Sequence, residues 1–191
     1  MHKRSLVTLA LAGIFAVAIA GGGHAADKPK IFELTSSAVK DGGMLPKKYG
    51  GKNPEFKSCT GENVSPALHW SGAPPTTKSY VIMLLDPVGR PLIGVVHWLA
   101  YDIPASKTGF KEGEVSTSSA EFKGGKSTMN RDTYFGPCPP SGSKAHPYTF
   151  LLFATDIEPG TLKAGMTNEE LAPMLRNHVV ASTSLVARYG G

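Results

Sequence analysis

The sequence predicts a mainly β protein with a small helical part near the C-terminus. Three near-continuous apolar runs, at residues 79–86, 95–103 and 148–156, have the length and composition of strands that are buried on both faces. Pro104 ends the second run, and the segments between the runs are rich in Gly, Pro, Ser and Lys, which is typical of turns and loops. Long strands separated by such segments favour an all-β class over an α/β class.

Weaker patterns predict the remaining elements. Shorter strands are expected at residues 31–36, 67–70 and 182–189, and residues 41–63 are interpreted as a loop because Gly, Lys and Pro dominate them. The polar segment 105–132 is predicted to be either a functional surface loop or a hairpin whose pattern is too weak to recognise.

One helix is predicted after Thr167, because residues 167–170 fit a capping box in which Glu170 reaches back to the start of the helix. Pro173 removes a helical hydrogen bond and clashes with the preceding turn, so we expect a kink or a second helical start there. The residues that follow the box at helical spacing are Leu171, Leu175, His178 and Val179.

Residues 1–25 have the layout of a secretory signal peptide, with a basic start, an apolar run at 6–20 and a small-residue cleavage site that ends at Ala25. We expect cleavage after Ala25, which leaves residues 26–191 as a single domain in the periplasm or outside the cell. The alternative is an uncleaved membrane anchor, although a run of fifteen residues is short for a span, which needs about 20.

The charge of the chain argues against nucleic acid as a partner. The formal net charge falls from +5 to +3 once Lys3 and Arg4 are removed with the signal peptide, and no dense run of Lys and Arg remains. We expect no nucleic-acid partner, no cofactor and no membrane span after cleavage. The sequence leaves a homodimer open.

Cys59 and Cys138 are the two cysteines of the chain, an even number that suits an oxidising compartment. They are either bridged or two free, buried thiols, because spacing alone does not show whether two Cα atoms come within reach of a disulfide.

Two segments carry the residue types of a small anion site. Asp86 ends a predicted strand, His97 lies on the next strand, and His146 and Tyr148 point to one face of an extended stretch. The loop at 136–142, with three prolines and two glycines, is able to hold backbone N–H groups in fixed directions towards an anion. Together these groups would form an oxyanion pocket in which Asp86 orients one imidazole.

The same segments resemble the phosphatidylethanolamine-binding protein family. Residues 86–98 are similar to its D-P-D-x-P…H-W block, residues 136–148 to its G-x-x-P-P-x-G…H-R-Y block, and residues 63–70 to the N-x-S-P-x-L-x-W segment of its bacterial Raf-kinase-inhibitor-like branch. The resemblance extends from about residue 32 to residue 189. It implies a Greek-key antiparallel β-sandwich with a small C-terminal helical portion, and a surface pocket for phosphate-type anions.

The resemblance also assigns positions. Val88 stands where the family usually has a second Asp. Pro147 stands where the family has Arg, so a cation is lost at that position. Pro91 matches a position that is often a cis proline. The pocket residues implied by position are Asp86, His97, Gly136, Pro137, His146 and Tyr148. Of the other notable side chains, those expected to be structural are His69, His178, Trp70, Trp98, Pro139 and Pro140.

Two other chemistries compete with anion binding. Two His and one Asp are suitable metal ligands, but the sequence has no closely spaced ligand pair, so no metal is expected. A hydrolase would need a nucleophile, and there is no G-x-S-x-G motif. Cys138 near His146 is the remaining alternative nucleophile, and we expect a protein without enzymatic activity.

The sequence therefore predicts an exported binding protein for a phosphate-like anion or a phosphorylated headgroup. Because imidazolium loses its charge above pH ~6.5, the affinity is expected to fall above that pH. The alternative is a protein-interaction or inhibitor module that acts on an extracytoplasmic enzyme, with the polar segment 105–132 as its binding surface.

Overall fold

The computed structural model describes residues 30–190. The predicted signal peptide and its cleavage site lie outside the described residues. Within them, no helix combines the length and the apolar character that a membrane span requires.

Residues 30–190 form nine strands and one α-helix, so the predicted mainly β class is confirmed. All three long runs are strands within a residue or two of their predicted bounds, because their apolar side chains are buried on both faces of a central sheet. The strands are β1 (Glu33–Thr35), β2 (Gly43–Met44), β3 (Leu68–Ser71), β4 (Ser79–Asp86), β5 (Val95–Pro104), β6 (Gly109–Phe110), β7 (Lys123–Gly124), β8 (His146–Thr155) and β9 (Val179–Tyr189), and helix α1 (Asn168–Leu175) lies between β8 and β9.

The strands form two sheets. The larger has six strands in the order β2-β9-β8-β4-β5-β7, and the smaller has three in the order β1-β3-β6. The pairs are antiparallel except for the short parallel pair of β2 with β9. Side chains from both sheets form one core, in which Trp70 of β3 contacts Tyr80 of β4 and Trp98 of β5 is equally buried. Both tryptophans therefore have the structural role that was predicted.

The larger sheet is covered on its second face by a smaller apolar cluster, in which Leu171 of α1 packs with Val81 and Leu99. The predicted capping box is present, since the N–H of Glu170 bonds to the Thr167 hydroxyl and the Glu170 carboxylate accepts the N–H of Thr167. The helix ends at Leu175, two residues after Pro173.

The prediction that helical spacing continues to His178 and Val179 was wrong. Asn177 adopts a left-handed conformation with φ 66°, and Val179 begins β9. Residues 30–190 contain no second helical start after Pro173, because the chain turns directly into the sheet. His178 is exposed and its Nδ1 lies 2.7 Å from Asp156, and His69 is exposed on β3.

The segment 105–132 is neither a free surface loop nor a hairpin. It contains β6, which pairs with β3 of the smaller sheet, and β7, which pairs with β5 of the larger one. Val115 lies between these two strands in the sequence and Phe122 directly precedes β7, and both are buried in the main core. Because the segment 105–132 is mostly polar, its sequence pattern did not reveal that it connects the two sheets.

The two cysteines are joined in a disulfide that closes a sequence separation of 79 residues. Their Cα atoms are 4.9 Å apart, within the range that a disulfide requires. The bond connects the loop before β3 to the proline-rich loop before β8.

Candidate functional site

Three of the predicted pocket residues lie side by side at one end of the larger sheet. Asp86 is the last residue of β4, His97 is near the start of β5, and His146 is the first residue of β8. Because β4 lies between β8 and β5, Asp86 lies between the two histidines. All three line a common cleft of about 960 Å³, and we call them the cleft base.

Asp86 holds the ring of His146. The Nδ1 atom of His146 lies 2.8 Å from Oδ2 of Asp86, and the other carboxylate oxygen accepts the N–H of Val88 at 2.9 Å. Both side chains are buried, with 9% of the His146 side chain and 4% of the Asp86 side chain exposed. A carboxylate accepts hydrogen bonds only, so Nδ1 carries the proton and Nε2 is the atom left for a ligand.

His97 is oriented by backbone carbonyls. Its Nδ1 lies 3.1 Å from the carbonyl oxygen of Gly136 and 3.3 Å from that of Phe135. Two acceptors require a proton on Nδ1. Burial lowers the pKa of His97, while the neighbouring Asp86 carboxylate acts in the opposite direction. Nε2 of His97 points away from these carbonyls, and within residues 30–190 no hydrogen bond to Nε2 of either histidine is present.

Tyr148 lies behind the cleft rather than in its wall. Its side chain is fully buried, and its hydroxyl accepts the N–H of Cys138 at 3.1 Å. Burial, followed by the nearby Asp86 carboxylate, raises the pKa of Tyr148 far above its usual value. The ring centroid is 5.1 Å from that of His97 and 6.2 Å from that of His146, so Tyr148 supports both imidazoles.

Gly136 and Pro137 also face inwards. The N–H of Gly136 donates to Oδ1 of Asn63 at 2.9 Å, and the carbonyl of Pro137 accepts the N–H of Gly51 at 2.8 Å. A Cβ on Gly136 would lie 2.1 Å from the carbonyl oxygen of Tyr49, so only glycine permits this approach. The structure thus differs from the expected backbone anion site, because the N–H groups of Gly136 and Cys138 are used within the protein.

The rim of the cleft is formed by loop residues, several of which lie outside the two motif segments. Residues 53–59, the turn that follows β4 and residues 129–131 surround the opening, and the disulfide forms part of the wall. Phe135, Phe56, Val88, Val95 and Met129 make much of the lining apolar. Apart from Val88, which the resemblance had singled out, no sequence signal identified these apolar residues as part of a pocket, because loop positions around a pocket have no periodicity.

Arg131 brings a cation to the mouth of the cleft. Its guanidinium carbon lies 4.8 Å from the ring centroid of Phe135, and Phe135 stacks on His97. The N–H of Arg131 donates to the Ser127 hydroxyl, which closes the turn. The Thr128 hydroxyl in the same turn accepts the N–H of Val96 in β5, so the turn is fixed to that strand. Among the described residues, Arg131 forms no salt bridge with a carboxylate.

The departures from the family motifs have unequal consequences. Val88 lines the cleft and is half exposed, so an acidic side chain is missing from the rim. Pro147 lies between His146 and Tyr148 and therefore faces the opposite side of β8. The cation that is lost at this position therefore belongs to the face of β8 that is turned away from the cleft.

The bond before Pro91 is trans, since residues 30–190 contain no cis peptide bond, so the expected cis proline is absent. The next two residues, Leu92 and Ile93, are exposed on the loop between β4 and β5. In the described part of the chain, no three His, Cys, Asp or Glu side chains are grouped closely enough to hold a metal ion.

Comparison with known proteins gives a consistent family relationship. The model of the family described as phosphatidylethanolamine-binding protein matches residues 35–190. Among curated relatives, a UPF0098 protein of Methanothermobacter thermautotrophicus is 33% identical, over 82% of this chain and 97% of its own length. The UPF0098 protein YbcL of Escherichia coli is 28% identical over 83% of this chain and 87% of its own.

Two solved structures share the fold. The crystal structure of Escherichia coli YbcL, described as a new member of the mammalian PEBP family, matches with a TM-score of 0.75 and 27% identity, covering 84% of this chain and 98% of that one. The crystal structure of CT736 from Chlamydia trachomatis, described as a homologue of phosphatidylethanolamine-binding protein, matches with a TM-score of 0.71 and 29% identity, covering 85% of this chain and 99% of that one.

Proposed function

This chain belongs to the phosphatidylethanolamine-binding protein family, and from that premise we propose that it is an exported protein that binds a small phosphate-type anion or a phosphorylated headgroup in the cleft at the ends of β4, β5 and β8. The observation that carries the proposal is the pair of buried imidazoles of His97 and His146. Each has its Nδ1 proton fixed by an oxygen acceptor and its Nε2 left for a ligand.

The charges around the cleft are compatible with an anion. The Asp86 carboxylate is already engaged by His146 and by the N–H of Val88, so it offers little to a cation. Arg131 supplies positive charge at the mouth, where a guanidinium is well suited to the planar recognition of phosphate or carboxylate oxygens. Glu55 lies on the same rim and suits the ammonium of a zwitterionic headgroup.

We propose binding rather than catalysis. The sulfur of Cys138 is bonded to Cys59, so it does not supply the thiolate that a cysteine hydrolase needs. The proposal of export rests on the layout of residues 1–25 and on the disulfide, which is typical of oxidising compartments.

A calorimetric titration tests the binding. The protein is titrated with phosphate and with phosphoethanolamine at pH 6, in parallel with His146→Ala and with His69→Ala, which removes an exposed histidine on β3. We expect saturable binding that is lost in His146→Ala and retained in His69→Ala. Absence of heat with the unaltered protein would contradict the proposed function.

A second candidate function is a protein-interaction or inhibitor module, and the exposed apolar rim favours it. Phe56 and Val88 at the rim are each at least half exposed, and Leu92 and Ile93 are exposed further along the same loop as Val88. Apolar side chains clustered on a surface are typical of binding sites. An affinity capture that retains a protein partner with the unaltered chain and with His146→Ala, but loses it with Leu92→Ser/Ile93→Ser, would favour this function.

A further inference from the structure

One wall of the cleft is formed by residues 53–59, which we call the flap, and this segment is held mostly by bonds within itself. The N–H of Asn53 donates to the carbonyl of Cys59 at 3.2 Å, and Lys52 and Thr60 form a bridge where the flap leaves the rest of the chain. The flap therefore has a shape of its own, but these bonds do not attach it to either sheet.

The flap also lacks an apolar anchor. Cys59 is its one buried residue and belongs to neither apolar cluster, and Phe56 is 60% exposed. In the described part of the chain, the one hydrogen bond that joins the flap to a residue outside 51–61 runs from the Ser58 hydroxyl to Sγ of Cys138, at 3.5 Å. The disulfide between Cys59 and Cys138 is therefore the main attachment of the flap.

The other end of the disulfide is firmly held. The N–H of Cys138 donates to the hydroxyl of Tyr148 at 3.1 Å, and Tyr148 is fully buried and packs on both histidines of the cleft base. The bond thus connects a weakly attached segment to a rigid part of the site. The position of the flap over the cleft depends on the oxidation state of these two sulfur atoms.

The disulfide lies where a reagent from solution reaches it, because both cysteines line the cleft. Cys59 is buried, whereas Cys138 is partly exposed, so an incoming thiolate reaches Sγ of Cys138 more readily. Attack at that sulfur forms a mixed disulfide with Cys138 and releases Cys59 as a thiolate. The flap is then detached in the first step of the exchange.

We propose that the Cys59–Cys138 disulfide is a thiol–disulfide exchange site that latches the flap over the cleft, and that a dithiol reductant releases the flap. The second thiol of the reductant resolves the mixed disulfide, so the reductant is oxidised to its own disulfide while two electrons and two protons leave both cysteines as thiols. The sandwich stays folded, because neither cysteine belongs to its apolar clusters. This inference goes beyond the proposed function, since it does not depend on which ligand the cleft holds.

Hydrogen–deuterium exchange, measured by mass spectrometry before and after reduction of the full chain with dithiothreitol, tests the latch. An isolated two-stranded hairpin is only marginally stable in water, so amide exchange in residues 53–59 should rise by about tenfold or more once the flap is released. The exposed turn at 158–161, in which the N–H of Thr161 donates to the carbonyl of Glu158, lies beyond the opposite end of β8 and should be unaffected. Exchange in β4 should also stay unchanged, because the sandwich remains folded.

Modification with diethyl pyrocarbonate, which reacts with neutral imidazole nitrogen, measures access to the cleft without any ligand. The variant Cys59→Ser/Cys138→Ser is compared with the unaltered, oxidised protein at pH 6. We expect His97 and His146 to react about threefold faster or more in the variant, because opening of the flap exposes them. The two exposed histidines, on β3 and before β9, should react at the same rate in both proteins.

Ser58→Ala is the matched control, because it removes the hydrogen bond to the sulfur and keeps the disulfide. It should behave like the unaltered protein in both experiments. Unchanged exchange in residues 53–59 after reduction would overturn the latch, and faster exchange throughout β4 and β8 would show that the bond holds the sandwich instead. Faster exchange in the flap with equal histidine reactivity would overturn its control of the cleft. Neither experiment uses an anion, so this inference and the proposed function fail separately.

Discussion

The base of the cleft and its rim are stabilised in different ways. At the base, Asp86 and His146 are 2.8 Å apart and Tyr148 packs on both histidines, so the side chains have fixed directions. At the rim, Phe56 and Val88 are each at least half exposed, so fewer contacts constrain them. The side chains of the base are therefore fixed by their contacts, whereas the exposed side chains of the rim are less constrained.

The disulfide is the exception on the rim, and its removal should have the largest effect on stability. Cys59→Ser/Cys138→Ser frees a loop closed over 79 residues, and the chain-entropy model gives a loss of about 4–5 kcal/mol in the free energy of unfolding. Urea denaturation measures this loss when the double variant and the reduced, unaltered protein are each compared with the oxidised protein. Equal stability of the oxidised protein and the double variant would show that the rim does not need this bond.

Breaking the Asp86–His146 pair at the cleft base should cause the next largest loss of stability. Asp86→Ala leaves the Nδ1 proton of His146 and the N–H of Val88 without their acceptor in a buried site, and we expect a loss of about 3 kcal/mol. The exposed Asp132→Ala, close to the mouth of the cleft, is the matched control and should change stability by less than about 0.5 kcal/mol. Similar losses in both variants would contradict the assigned role of the pair.

The stability of the base should depend on pH through His97. Because burial lowers the pKa of His97, the unfolded chain takes up a proton there at a higher pH than the folded chain does. Stability is therefore expected to fall as the pH drops below about 6.5, the ordinary histidine value. In His97→Gln this loss should be smaller, and in the exposed His69→Gln it should be unchanged. Parallel pH profiles for all three proteins would exclude His97 as the source.

A substitution at Pro147 is expected to have the smallest effect, which is measured as a change in ligand affinity. Pro147→Arg restores the residue type of the family motif, but the side chain faces away from the cleft. The affinity for phosphoethanolamine should stay within about twofold, which corresponds to about 0.4 kcal/mol. A large gain in affinity, measured by the same calorimetry, would mean that this position reaches the ligand.

The sequence predicted those parts of the molecule that depend on local pattern. Residues 79–86 form a strand of that length because both faces are buried, and Thr167 and Glu170 form the predicted box because capping is a local interaction. By contrast, β6 and β7 have two residues each and pair with distant strands, so no periodicity reveals them.

The candidate site was likewise predicted only where a sequence motif exists. The motifs identified Asp86, His97 and His146, but they did not show that Gly136 directs its N–H inwards, since that depends on its contact with Asn63. Arg131 is a single charge in a polar segment, and only the fold brings it to the cleft. The pairing of the cysteines was left open for the same reason.

The most direct test of anion binding at the cleft base is a nuclear magnetic resonance titration that follows the imidazole nitrogens of the protein as phosphate is added at pH 6. His69 and His178 are exposed and serve as internal references. We predict saturable shifts of Nε2 in His97 and His146, with little change in the two references. Shifts confined to His69 and His178, or the absence of any saturable change, would contradict anion binding at this site.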